Sequence, residues 1–427
     1  MCIRDRHITI QECFESLKID NNVDCKTISQ EEADELSEYI KSNLDRDNFI
    51  WGRDTITIIN YVGYIKLSTV AIEILPKVSI NKNSPEEGRK TLLNMLAKCG
   101  MIKVNYSEIN NINTYKMSLD EILAYLFAIK LQKELSKGPY QEYISTEENI
   151  GTLKGKLMVN QQIKNIASAK PKAFCRYEEF SINNNLNQIF VCCITNLIKR
   201  IRNQETIKIL SHMQTYFTEV TEREIGNLEV NNYKFTRLND RFREAFILAK
   251  MLLGGYSSLG SRGNDKAFSI LFRMDEVFEM YITKLLYITL EDGVIHPQHS
   301  KYKLLVSENT NKGIFQLKPD IVIEKDGKEQ LIIDTKWKRI SSAYNRHGVK
   351  REDLYQMYAY LTRYDDVHNV ILLYPHNILV SGEENIYHES WLLEDNNNKK
   401  IRIYTVNLEN EKVTIENLRM IIQSIEN

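Results

Sequence analysis

Two strand-forming runs meet around a turn dipeptide in the last third of the chain, and no other segment restricts the fold as much. Residues 315–323 and 330–335 are rich in β-branched and apolar side chains, and Glu324-Lys325-Asp326-Gly327-Lys328 joins them. Asp-Gly at the centre of such a connection accepts the positive φ angles of a tight hairpin turn. Lys318-Pro319-Asp320 opens one strand and Asp334-Thr335-Lys336 closes its partner, so antiparallel pairing returns Asp320 to the side of Asp334. Asp334 and Lys336 are two apart on a strand and leave by the same face. Two carboxylates and one ammonium therefore converge at one end of a small sheet.

That set suits phosphodiester hydrolysis. A phosphodiester repels an incoming hydroxide, so a divalent cation has to neutralise charge and polarise a non-bridging oxygen. Mg2+ selects hard oxygen ligands, which Asp320 and Asp334 offer, with the Thr335 carbonyl as a third. Lys336 can orient or deprotonate the attacking water, or stabilise negative charge as it develops. Solvated surface acids are the plain alternative, but Asp334 directly follows the buried-type run Leu331-Ile332-Ile333 rather than sitting in a turn.

Periodicity predicts the frame around the hairpin. Helices are expected at 275–290, 351–363 and 413–425, with strands at 370–374 and 401–406, an α/β arrangement over residues 266–427. Residues 111–265 read as mostly helical, with helices at 186–201 and 240–253 and a short break at 150–156. Ser118 and Glu121 have capping-box spacing ahead of the apolar run 122–131. Residues 7–110 read as a strand-rich domain, with a hairpin or meander through 56–65 and 70–75 and a helix at 86–99. The polar stretch 105–114 and the glycines at 254–255 and 260–263 mark the two boundaries, so the chain is α+β overall in three domains. Trp51-Gly52-Arg53-Asp54 and Ile74-Leu75-Pro76-Lys77 read as strand and turn material.

Composition excludes several classes. At 427 residues the chain is too long for one ordinary core. It has no run of eighteen apolar residues and no basic start followed by an apolar stretch, so a cytoplasmic protein is expected. The formal net charge of -1 rules out a broadly basic nucleic-acid binder, and phosphate contact has to use a local patch or a partner. Seven cysteines without CxxC spacing read as reduced packing thiols rather than a zinc site. Gly151–Lys156 lacks the GxxxxGK(S/T) spacing, so no nucleotide is expected on this chain. The codons of the first six residues, Met1–Arg6, can also spell a transposon end used in sequencing libraries, so the native start is expected elsewhere.

Three further segments give the hairpin a context. Leu331-Ile332-Ile333-Asp334-Thr335-Lys336-Trp337, Asp353-Leu354-Tyr355-Gln356-Met357-Tyr358-Ala359-Tyr360 and Leu372-Leu373-Tyr374-Pro375-His376 together resemble the McrC family, the nuclease subunits of McrBC-type modification-dependent restriction systems. Upstream, Gly151-Thr152-Leu153-Lys154-Gly155-Lys156 and Asn183-Asn184-Asn185-Leu186-Asn187 are similar to family segments, and the resemblance extends over about residues 145–410. It implies a C-terminal restriction-endonuclease-like PD-(D/E)xK domain, with Asp320, Asp334 and Lys336 on its three signature positions. It also implies Mg2+ as cofactor, with Mn2+ able to substitute. The substrate would be double-stranded DNA carrying modified cytosine, and a separate McrB-like AAA+ GTPase would supply recognition.

The resemblance extends the candidate site. Gln356 and Tyr360 fit the QxxxY signature shared with RecB-like nucleases; four apart on a helix, they share a face and could reach DNA or Lys336. Glu279 is a candidate further metal carboxylate from the preceding helix. Lys338, Arg339, Arg346, Lys350 and Arg351 form a candidate phosphate-contacting patch. His347, a loop histidine beside them, could titrate but has no claim on a metal. Residues 7–145 are expected to dock on the partner. Two other readings are a RecB-like repair nuclease acting on DNA ends and a non-catalytic adaptor that only stimulates a GTPase.

Overall fold

The computed structural model describes residues 6–20, 26–77, 84–104, 117–254, 268–338, 340, 346–376, 386–394 and 396–426. Its residues divide into two compact units, one formed by Met1–Lys116 together with Leu271–Asn427, the other by Met117–Ile270. The three consecutive domains expected from sequence are therefore replaced by two units, the second inserted into the first. The stretches expected to mark the boundaries, 105–114 and most of 254–263, lie outside the described residues.

A six-stranded mixed sheet organises the C-terminal part of the first unit. Its order is Val294–Pro297, Ile321–Lys325, Lys328–Thr335, Asn369–Pro375, Asn396–Val406 and Tyr387–Leu393. Asp326 and Gly327 both take positive φ, as the tight turn between the second and third strands requires. Helix Arg351–Arg363 crosses over to join Lys328–Thr335 in parallel to Asn369–Pro375. One sheet face carries Val322, Ile332, Val370 and Leu372 against Met357, Tyr360 and Leu361 of that helix, all buried. Burying each such side chain stabilises the fold by roughly 1.5–3 kcal/mol. Helices Met274–Thr289 and Glu411–Glu426 complete this part of the unit. The single strand expected over 315–323 is instead two: Gly313–Gln316 pairs with Lys303–Val306 in a separate exposed hairpin, and Ile321–Lys325 begins after Pro319.

The N-terminal part of the same unit is strand-rich, as composition predicts. Arg6–Gln11 lies parallel to Val70–Leu75, which pairs antiparallel with Tyr61–Lys66. A second small sheet holds Ser16–Ile19, Thr27–Ile28, Phe49–Trp51 and Thr55–Ile58. Helix Gln30–Asn43 starts on a full capping box between Ser29 and Glu32. Helix Pro85–Lys98 covers the buried strand Val70–Leu75 and clamps Glu73 with Arg89 at 2.6 and 2.8 Å. Long-range bonds tie this part to the C-terminal one. Met274 donates its N–H to the Asn60 carbonyl at 2.9 Å, Lys98 meets Glu411 at 2.6 Å, and the Trp337 indole donates to Glu12 at 2.6 Å.

In the second unit, helix Leu119–Leu135 is apolar nearly all round and packs against helices Gln204–Gln214 and Arg243–Gly254. Its Phe127 meets Phe190 of helix Asn185–Arg200, which in turn meets Phe242. Ser118 precedes that helix without the expected side-chain cap; its hydroxyl donates to Asp120 instead. A mostly helical region was expected here, yet Glu142–Ile150, Lys156–Leu157 and Ala173–Ser181 form a three-stranded sheet. Its first strand is exposed or half-buried throughout, so no apolar alternation betrays it. Among the described residues, no helix is long and apolar enough to cross a membrane.

Candidate active site

Antiparallel pairing of Ile321 with Ile333 and Val322 with Ile332 carries Asp320 opposite Asp334. A direct tie completes the approach. The Thr335 N–H and hydroxyl both donate to Asp320 Oδ2, each at 2.8 Å. Asp334 is fully buried, on the face that looks toward helix Arg351–Arg363. Lys336 leaves by the same face, where its ammonium pairs with Asp334 Oδ2 and donates to Gln356 Oε1 at 3.0 Å. Gln356 Nε2 donates in turn to the Tyr360 hydroxyl at 2.8 Å. From the other side, Gln298 donates its backbone N–H to the Asp320 carbonyl at 2.7 Å and its side-chain amide to the Glu279 carboxylate.

The electrostatics follow from packing acids together out of water. Burial and then the Asp320 charge push the Asp334 carboxyl up to about 7, against the pull of Lys336. Burial and then Asp320 push Glu279 up to about 7 as well. Asp320 is raised by its own burial despite the two Thr335 bonds. For Lys336 burial acts to lower the pKa, but the Asp334 and Asp320 charges outweigh it and hold the value above that of an ordinary lysine. At neutral pH Lys336 is therefore a cation, able to donate and to stabilise negative charge but not to accept a proton.

These donors fit a hard divalent cation. Their negative charge is incompletely matched, and Asp334 Oδ1 is buried with no hydrogen-bond donor among the described residues. No three His, Cys, Asp or Glu side chains form a complete cage there or elsewhere among the described residues. Two aspartates with the remaining positions left to water and phosphate is how Mg2+ is commonly held.

Of the candidate residues, Asp320, Asp334, Thr335, Lys336 and Gln356 come together, and Glu279 stands beside them through Gln298 and the Asp320 charge. Tyr360 does not reach outward as a DNA contact: it is 1% exposed, and its hydroxyl is taken up by Gln356. Lys338 is committed to both Asp353 oxygens, at 2.9 and 2.8 Å, which pins the first turn of helix Arg351–Arg363. Arg346, Lys350 and Arg351 are exposed, whereas Arg339 lies outside the described residues. His347 is not a solvated loop residue; it is buried at positive φ, 3.3 Å from Glu389 and stacked edgewise on His388. Sequence reasoning misses Gln298, Asp353, Glu12 and Lys77, and the last reads from sequence as turn material. Lys77 is buried and donates to the Trp337 carbonyl at 2.8 Å.

Comparison with known proteins places this geometry in a context. A family model described as McrBC 5-methylcytosine restriction system component matches residues 56–375. Two solved structures share the fold. A chain of the refined half-complex from the tetradecameric assembly of Thermococcus gammatolerans McrB AAA+ hexamers with bound McrC matches with a TM-score of 0.75 at 20% identity, covering 97% of this chain and 100% of that one. A chain of the Thermococcus gammatolerans McrBC complex matches with a TM-score of 0.52 at 24% identity, covering 67% of this chain and 88% of that one. No curated protein matches the sequence.

Proposed function

The chain belongs to the McrBC 5-methylcytosine restriction system component family, and we propose that it is the McrC-type nuclease subunit, hydrolysing phosphodiester bonds of double-stranded DNA at a PD-(D/E)xK site. The observation that carries the reading is the meeting of Asp320, Asp334, Lys336 and Gln356 at the open end of one hairpin. Asp320 and Asp334 would hold Mg2+, or Mn2+ in its place, with Glu279 as a further carboxylate beside them. When bound, the ion lowers the pKa of a water and neutralises charge on the scissile phosphate. Thr335 keeps Asp320 turned into the site by two hydrogen bonds. Lys336 donates to the attacking water or to the phosphoryl oxygen on which charge develops. Gln356 holds that ammonium in place and is itself fixed by Tyr360. Arg346, Lys350 and Arg351 are exposed and free to meet the DNA backbone.

The partner in this reading is a McrB-like AAA+ GTPase, a separate chain that recognises modified cytosine. A net charge of -1 suits a nuclease that relies on such a partner for DNA affinity. Docking is expected of residues 7–145 from sequence, of which 7–116 share one compact unit with 271–427. A second docking surface is the apolar stripe on helix Val159–Ala167, where Val159, Ile163 and Ile166 are 63%, 59% and 70% exposed, with Leu153 nearby in sequence at 69%.

The test combines the chain, the AAA+ protein encoded beside it, GTP, Mg2+ and methylated or unmethylated DNA. Cleavage of the methylated DNA alone, and only with the partner, is expected. Cutting of free DNA ends without the partner would favour a repair nuclease. Assembly and GTPase stimulation without any cutting would favour an adaptor. Ile163→Asp with Ile166→Asp should abolish co-assembly; undiminished assembly rejects the docking surface.

A further inference from the structure

We infer that Glu12 is a positioning residue of the nuclease site, acting on Lys336 through Trp337; the inference rests on the nuclease reading above. Glu12 follows the first strand, and its side chain is fully buried. One carboxylate oxygen accepts the Trp337 indole N–H at 2.6 Å and the other accepts the Asn60 backbone N–H at 2.9 Å. Lys77, also buried, donates to the Trp337 carbonyl at 2.8 Å and stands 5.1 Å from the centre of its ring. The ring also packs against that of Phe278, with centroids 5.3 Å apart. Trp337 is thus held at its ring nitrogen, its ring face and its carbonyl by groups that lie far from it in sequence.

What Trp337 does locally makes that grip matter. The Lys336 N–H still belongs to the sheet, donating to the Leu373 carbonyl at 2.9 Å. The next bond runs from the Lys338 N–H to the Lys336 carbonyl at 2.8 Å, which closes a three-residue turn centred on Trp337. The strand therefore ends, and the chain swings toward helix Arg351–Arg363, at the residue that Glu12 and Lys77 hold. A shift of this turn would carry the Lys336 backbone with it and spoil the reach of the ammonium to Asp334 and Gln356. A stability role explains the arrangement poorly. Buried charged groups gain little over well-packed apolar side chains of the same volume, whereas fixed geometry at a reacting centre is worth large factors in rate. Glu12 and Lys77 both come from the N-terminal segment, so that segment takes part in shaping the site.

The experiment uses the full chain with its AAA+ partner, GTP, Mg2+ and methylated DNA, and compares Glu12→Ala, Glu12→Gln, Trp337→Phe and the Glu12→Ala/Trp337→Phe pair. Parent cutting that Lys336→Ala abolishes secures the nuclease reading first; a parent that never cuts overturns that reading. Glu12→Ala and Trp337→Phe should each lower kcat roughly ten- to hundredfold at saturating DNA, the range expected for a sub-ångström to 1 Å misplacement. KM and GTPase stimulation should stay within about twofold. The double variant should be no worse than the poorer single one, because both remove the same bond. Glu12→Gln keeps an oxygen for the indole and should recover most of the rate. Trp337→Phe preserves the ring packing, so it decides the matter even where Glu12→Ala fails to fold. Parental kcat in Trp337→Phe, or additive losses in the pair, overturns the inference.

Discussion

Lys336 Nζ lies 3.0 Å from Gln356 Oε1, so a lysine on a strand and an amide on the crossover helix share one hydrogen bond at the rim of the sheet. The same amide donates from its nitrogen side to the Tyr360 hydroxyl at 2.8 Å, and its flip state is decided by Lys336, whose ammonium can only donate and so faces the oxygen. Gln356→Ala should cut about tenfold more slowly or worse, the loss typical when a group supporting a proton donor is removed. Tyr360→Phe frees one side of the amide and should cost less than Gln356→Ala. Single-turnover cleavage of methylated DNA measures both, and equal rates in all three proteins would break the proposed chain of contacts.

Asp334→Ala and Lys336→Ala should abolish cutting while leaving assembly with the AAA+ partner intact. Gel filtration of the complex and a plasmid-cleavage assay read the two properties separately. Cutting retained in either variant removes that residue from the catalytic set.

Thr335→Val keeps the shape of the side chain and removes the hydroxyl that donates to Asp320 at 2.8 Å. A hydrogen bond to a charged group contributes roughly 1.5–3 kcal/mol, so the Mg2+ concentration for half-maximal cutting should rise. Thr335→Ser should keep the parental value. A Mg2+ titration of initial rates tests this, and identical curves for Val and Thr would show the hydroxyl to be dispensable.

Asp334 and Glu279 are both held at about 7, above the 3.8 and 4.5 of their free forms, chiefly by burial. For acids raised on folding, the favourable contribution is full below the unfolded pKa and is lost as pH climbs through the folded one. The cation-free protein should therefore melt lower at pH 8 than at pH 5.5, and Asp334→Asn should flatten that difference. Mg2+ should raise the melting temperature more at pH 8, where no proton competes for the carboxylates. Cutting should increase as pH passes about 7. Scanning fluorimetry with and without Mg2+ reads the stability terms; a parental pH slope in Asp334→Asn refutes the assignment.

Lys350→Ala with Arg351→Ala should weaken DNA binding by the assembled complex and reduce its log–log salt slope by about 2, close to one unit for each phosphate that is no longer neutralised. An unchanged slope removes this patch from the DNA path. Lys338→Ala should behave differently, because its ammonium is committed to Asp353 and its removal loosens helix Arg351–Arg363 instead of freeing a phosphate.

The site is legible where chemistry and local pattern coincide. Asp326-Gly327 gives the turn, the turn gives the register, and the register puts Asp320 beside Asp334. Helix Arg351–Arg363 follows the sequence expectation to the residue, because its apolar positions Met357, Tyr360 and Leu361 keep helical spacing. What local pattern cannot supply is partnership over distance. Glu12 and Lys77 are ordinary charged residues in sequence, and they matter only through a tryptophan 325 and 260 positions away. Tyr360 reads outward from sequence because a tyrosine on an amphipathic helix suits either face until its neighbours are known. The sheet of Glu142–Ile150 and Ala173–Ser181 escapes because the first strand buries no residue and the second buries only Cys175 and Tyr177, which leaves little apolar period to detect.

The bond between Glu12 and Trp337 also sets a schedule. Synthesis proceeds at roughly 5–20 residues per second, so a ribosome makes the acid tens of seconds before the indole that satisfies it. During that interval the whole Met117–Ile270 unit emerges and has time to fold. A growing chain thus carries Glu12 in water with no indole to meet, and Lys336 arrives only one residue before the tryptophan that seats it. On the nuclease reading proposed above, the Asp320, Asp334 and Lys336 cluster cannot be seated before Trp337 is made, so a shorter nascent chain lacks the complete site.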